Sequence, residues 1–211
     1  MATKVMSIHQ ALAEIKLYDS KIHNATMKKF IDFARKGTDK IGSYTKNEYE
    51  NVLKGNLKSV SALISNRKAI KSAIVLSNAT TKINVSGKEY TVADAIERKN
   101  AIDYEKRLLH ALRAQYSSCK TDVDIKNDSI STKLESYLKS VVSEKDKNNP
   151  EIVKQYEKQY RDVNEYELID PSSVAKYIEE LEKSIEEFET EVDYKLSESN
   201  TITKITVELD D

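Results

Sequence analysis

Apolar residues recur along most of this chain at steps of three and four, the spacing that gathers them on one face of an α-helix. Ile8, Leu12, Ile15, Tyr18, Ile22, Ala25, Phe30 and Phe33 form the first such stripe. Ser7 stands where it can cap that helix, and Gly37 and Gly42 are expected to end it. A second helix is expected from about Lys46, with Tyr49, Leu53, Leu57, Val60, Ile64 and Ile74 on its stripe. Arg67 and Lys71 fall on the same spacing, where they weaken the seam or pack their stems at its edge.

The period then changes to two. Lys82-Ile83-Asn84-Val85, the turn Ser86-Gly87 and Glu89-Tyr90-Thr91-Val92 read as a β-hairpin over 82–92. Thr91 and Asp94 resemble a capping box for a third helix, with Ile96, Ile102, Leu109 and Leu112 on its buried side to about Tyr116. Ser117 to Asp128 is polar and is expected to interrupt the pattern. A shorter helix follows with Leu134, Tyr137, Leu138, Val141 and Val142. Pro150 suits the first turn of another, with Ile152, Val153, Tyr156 and Tyr160. Glu165 to Ile169 reads as a strand, ended by Asp170-Pro171-Ser172-Ser173.

The last helix has the most regular pattern: Val174, Ile178, Leu181, Ile185, Phe188, Val192 and Lys195 follow steps of four and three. Over three heptads this serves a coiled coil or an antiparallel bundle equally, so the first six residues are candidates for a self-association seam. Thr201 to Leu209 alternates and is β-branched, hence a terminal strand to pair with the hairpin or with the Tyr166 strand. The fold expected is mainly α, an elongated antiparallel helical bundle or coiled coil with a small hairpin and a C-terminal strand. Its organisation reads as 1–117, an inserted region at 118–170, and 171–211, all in one continuous unit.

Composition supports helices: among 211 residues there are 4 Gly and 2 Pro, and charged residues make up 33%. The abundance of Lys, Asn, Ile and Tyr has the flavour of an AT-rich bacterial or phage genome. Charge is uneven, with 14 basic against 6 acidic residues over 1–80 and 5 against 16 over 161–211. Lys28, Lys29, Arg35, Lys36, Arg67, Lys68 and Lys71 are therefore a candidate anion-binding face. The favoured explanation is packing of the acidic last helix beside the basic first two. Most aromatics of the basic half, Tyr18, Phe30, Phe33, Tyr44 and Tyr49, fall on the stripe and read as core.

No residue set nominates a catalytic or metal site. His9, His23 and His110 lack ligands at metal spacing, and phosphate-loop and dinucleotide glycine patterns are missing. The carboxylates Glu179, Glu180, Glu182, Glu186, Glu187, Glu189 and Glu191 have no histidine among them and read as a solvated face. The single cysteine, Cys119, can form no internal disulfide, which fits a reducing compartment. No apolar run reaches signal-peptide or membrane-spanning length, so neither secretion by a recognisable signal nor a transmembrane segment is expected. A cytoplasmic or virion location fits.

Ile64 to Gly87, containing Ile74-Val75-Leu76-Ser77-Asn78-Ala79-Thr80-Thr81, and Ala93-Asp94-Ala95-Ile96-Glu97-Arg98-Lys99-Asn100 resemble the septicolysin-like family of small bacterial and phage proteins. There a helix runs through an Ile-x-x-Ser/Thr-Asn-x-x-Thr stretch into a glycine turn and a further helix. The likeness takes in Ala11-Leu12-Ala13-Glu14 and the helix and tail from Ile178 to Thr203, and departs by an insertion around 118–165. It implies an elongated, self-associating antiparallel helical fold with a small β element, and the family's name suggests a haemolytic role. No catalytic residue carries over.

The expectation is therefore a non-enzymatic structural or interaction protein, such as a bacteriophage virion or assembly component, without a cofactor. Its partners would be further copies of itself or other assembly proteins. A membrane-active, cytolysin-like protein and a nucleic-acid-binding module using the basic helices are the alternatives.

Overall fold

The computed structural model describes residues 2–143, 145, 147 and 149–210. The protein is mainly α, with five helices and three small antiparallel strand pairs among these residues: β1 (Ala2–Ser7), α1 (Ile8–Thr26), β2 (Lys40–Ile41), β3 (Tyr44–Thr45), α2 (Lys46–Thr80), β4 (Lys82–Val85), β5 (Lys88–Thr91), α3 (Val92–Val141), α4 (Pro150–Asn164), α5 (Val174–Ile202) and β6 (Lys204–Leu209). It falls into two compact units, Met1–Asn100 with Glu187–Asp211, and Ala101–Glu186. The divisions expected near 117 and 170 both lie within the second of these units.

Local chemistry sets the helix starts. Ser7 and Gln10 exchange bonds in a capping box at α1, and Thr45 and Glu48 do the same at α2, so that each satisfies first-turn N–H groups a helix leaves open. Thr91 Oγ1 accepts from the Asp94 N–H at 3.0 Å at the start of α3. Asn149 caps α4 ahead of Pro150, and the Asp170 carboxylate accepts the Val174 N–H at the head of α5.

The first unit's core lies where α1 and α2 meet the β1–β6 ribbon. Met6, Ile8, Ala11, Ile15, Tyr18, Ile70, Ile74, Ile205 and Val207 are buried together, with Ile22, Leu63, Ala73 and Leu209 against them. Each buried aliphatic side chain is worth about 1.5–3 kcal/mol. The helices run antiparallel, since α1's Asp19 pairs with Arg67 while Lys29, beyond α1's end, meets Asn56.

The terminal strand pairs with β1, in the register Met6↔Ile205 and Lys4↔Val207, and not with the hairpin or the Tyr166 segment. Ile205 and Val207 are the buried residues of β6, and facing them on β1 are Met6, which is buried, and Lys4, which is exposed. The ribbon's end is held from α2: Asn66, itself buried, donates from Nδ2 to the Asp210 carbonyl at 2.9 Å and accepts the Asp210 N–H at 2.7 Å.

The seam of α2 is shifted from its expected phase. Val60, Asn66, Ile70 and Ile74 are buried, whereas Leu57 is 56% and Ile64 50% exposed. The expected stripe skips from Ile64 to Ile74 across two charges. The observed one fills that gap with Asn66 and Ile70, so Arg67 and Lys71 do not interrupt it. Between β4 and β5, Ser86 and Gly87 both have positive φ (52° and 78°), as a type I′ two-residue turn requires.

In the first unit, α5 packs on this hairpin. Phe188 is buried against the Tyr90 ring at 5.7 Å between centroids, with the Arg98 guanidinium 4.3 Å from its own centroid. Lys99 pairs with Asp193. The Ser86 N–H donates to Glu191 at 2.7 Å and the Ser86 hydroxyl to the Glu187 carbonyl at 2.8 Å. Glu191 is thus part of the hairpin's anchoring and not of a solvated face.

In the second unit, α3 runs unbroken through Ser117–Asp128. No Gly or Pro interrupts it, half-buried Tyr116, Val123 and Asn127 carry the stripe on to buried Ile130 and Leu134, and the Thr121 hydroxyl bonds back to the Ser117 carbonyl. The stretch Glu165–Ile169 is coil and not a strand. Asn127 accepts the Tyr166 N–H and donates to the Tyr166 carbonyl, at 2.8 and 2.9 Å, filling the places a neighbouring strand would take. Tyr160 of α4 stacks on Tyr137 with ring centroids 4.7 Å apart. Arg113 pairs with Glu182, while Val174 lies beside Tyr116 and Cys119, which sets α5 antiparallel to α3 here.

Candidate functional site: the loop between α1 and α2

Helix α1 stops at Thr26, well before the expected glycines. Phe30 and Phe33 therefore leave the stripe they were read into, Phe30 half-buried and Phe33 92% exposed. Asp32 redirects the backbone. Its carboxylate accepts from the Lys29 ammonium at 2.8 Å, the Tyr49 hydroxyl at 2.6 Å and the Phe33 N–H at 3.0 Å. Asn56 donates to the Lys29 carbonyl at 2.9 Å, and Lys46 N–H to the Asp39 carbonyl at 3.0 Å. Gly37 and Gly42 sit in the loop with φ of 87° and 61°, where a side chain would be strained.

The loop is pinned to α2 by its polar groups, with Phe30 and Ile41 half-buried and its other large apolar side chains facing outward. Ile31 is 85% and Met27 72% exposed beside Phe33, and Tyr44 is exposed as well. Over 27–46 there are six basic residues and two acidic ones. Lys28, Arg35 and Lys36 are exposed and pair with no acidic group among the described residues.

The carboxyl of Asp32 is held down to about 2, from an ordinary 3.8, by the hydrogen bonds from Lys29, Tyr49 and the Phe33 N–H. The same contacts push the Tyr49 phenol and the Lys29 ammonium above their ordinary values. A depressed carboxyl stabilises the folded form above its unfolded pKa, and that contribution fades as pH falls from 3.8 toward 2. The carboxyl carbon shift of Asp32 is expected to titrate with a midpoint near 2, and Tyr49→Phe to move that midpoint upward. An unshifted midpoint near 3.8 in the native chain would mean the loop is not pinned through Asp32.

The structure divides the candidate anion-binding residues. Lys28, Lys29, Arg35 and Lys36 share the loop, while Arg67, Lys68 and Lys71 lie on α2, Arg67 being about 17 Å along the axis from Asn56. Arg67 is engaged by Asp19 at 2.5 Å. Of the seam candidates, Ile185, Phe188 and Val192 are buried within the chain itself, and Val174, Ile178 and Leu181 are half-buried. The stripe serves internal packing at those three buried positions. His9, His23, His110 and Cys119 are exposed, and no group of three or more metal-ligating side chains gathers among the described residues. A groove of about 160 Å³ beside Cys119 is lined by Leu112, Tyr116, Leu168, Ile169 and Val174. No helix is long and apolar enough to cross a membrane, among the described residues.

The site's apolar character is not visible from spacing, which puts Phe30 and Phe33 on the α1 stripe and passes over Ile31. Asp32 between Ile31 and Phe33, a residue that binds nearby backbone in turns, was the available signal. Comparison with protein families, with curated proteins and with solved structures finds no match to this chain.

Proposed function

We propose that this is a non-enzymatic interaction protein that works by presenting the α1–α2 loop to a partner, in the manner of a bacteriophage virion or assembly component. One observation carries the reading. Met27, Ile31 and Phe33 are held outward by a hydrogen-bonded loop while the core beneath is complete without them. Exposed apolar side chains grouped beside basic ones mark contact surfaces more often than isolated exposed residues do. Kinship with the septicolysin-like proteins belongs to the same proposal and rests on residues 64–87 and 93–100.

The reading requires the tip to be dispensable for folding. The double substitution Ile31→Ser/Phe33→Ser is expected to leave the thermal unfolding midpoint within about 2 °C, as surface changes away from packing do. A fall of many degrees would show that these side chains serve the fold, and the contact reading would be lost.

A further inference from the structure

We infer that the loop's partner is an anionic lipid surface, with Met27, Ile31 and Phe33 entering the boundary between head groups and acyl chains while Lys28, Arg35 and Lys36 meet the phosphates. This rests on the loop being a contact surface and goes further by naming what it contacts. Exposed Met27, Ile31 and Phe33 share the stretch 27–36 with Lys28, Arg35 and Lys36, a mixture of apolar and basic side chains that binds a bilayer interface through burial and charge together. The excess of positive charge complements the negative potential of an anionic leaflet.

Other anionic partners fit less well. A nucleic acid would engage the cations and stack on Phe33, but it would leave Met27 and Ile31 in water. An acidic protein would need a groove shaped to receive three separate apolar groups. A bilayer receives them without any preformed groove. Asp32, Tyr49 and Asn56 already order the loop, so little conformational freedom remains to be lost on contact.

The chain contains no Trp, so Phe33→Trp introduces a single emitter at the tip. With vesicles of mixed phosphatidylcholine and phosphatidylglycerol its emission is expected to move to the blue. With pure phosphatidylcholine it should not move, and Tyr104→Trp, at an exposed site in the second unit, should report no change in either. Changing Lys28, Arg35 and Lys36 together to Gln is expected to weaken vesicle binding at least about tenfold.

An unshifted emission with anionic vesicles, an equal shift with neutral ones, or a shift produced by a DNA duplex in their place would overturn the lipid assignment. If lipid binding fails while Ile31→Ser/Phe33→Ser keeps its melting temperature, the contact surface stands and its partner is something else. If the melting temperature collapses, both ideas fall.

Discussion

Replacing Ile70 by Asp is expected to lower the unfolding free energy by about 3–5 kcal/mol, because it places a carboxylate with no partner in an apolar core. Ile70 is 0% exposed, packed where α1, α2 and β6 converge. The same substitution at Ile64, six residues earlier on the same helix, should cost less than about 1 kcal/mol, since half of that side chain is already in water. The pair separates two phases of one helix. Urea unfolding of both variants reads it directly, and equal losses at the two positions would mean that α2 is rotated from the orientation described.

Phe188→Ala should cost about 3–5 kcal/mol, the range for removing a buried aromatic ring. The residue is 2% exposed, and its ring fills the space between the hairpin's Tyr90 and the start of α3. Arg98 would lose the nearer of its two aromatic faces and keep that of Tyr90. Phe188→Leu keeps most of the volume and should lose much less. Should Ala and Leu cost the same in urea unfolding, the ring's contacts contribute little and the hairpin is held mainly through Ser86.

Features set by neighbouring residues were legible in the sequence. Ser7, Thr91 with Asp94, Pro150 and the Ser86-Gly87 turn were all identified, since a cap or a two-residue turn is decided within four residues. The regular spacing of Ile185, Phe188 and Val192 also marked buried positions, though spacing could not say whether a second chain or this one covers them. Pairings between distant segments were not legible. Thr3–Met6 is too short and mixed to announce β1, whose partner strand lies more than 190 residues away. Polarity was over-read at Ser117–Asp128, where a helix needs only the absence of breakers and an occasional buried residue. Apolarity was over-read at Glu165–Ile169, where Asn127 had already taken the backbone. In the candidate site the positive charge was visible, but its division between loop and helix, and the outward turn at Asp32, depended on tertiary contacts from Tyr49 and Asn56.

Two extended segments, at Asp210 and at Tyr166, are held by the side-chain amides of Asn66 and Asn127. An amide can do this because it offers a donor and an acceptor side by side, matching the carbonyl and N–H of one residue. An aspartate in place of either would keep the shape and the acceptor but set a carboxylate oxygen against the backbone carbonyl. An Asn→Asp exchange at either position would therefore release that segment alone, while the caps and strand pairs built on hydroxyls and main-chain ladders stayed closed.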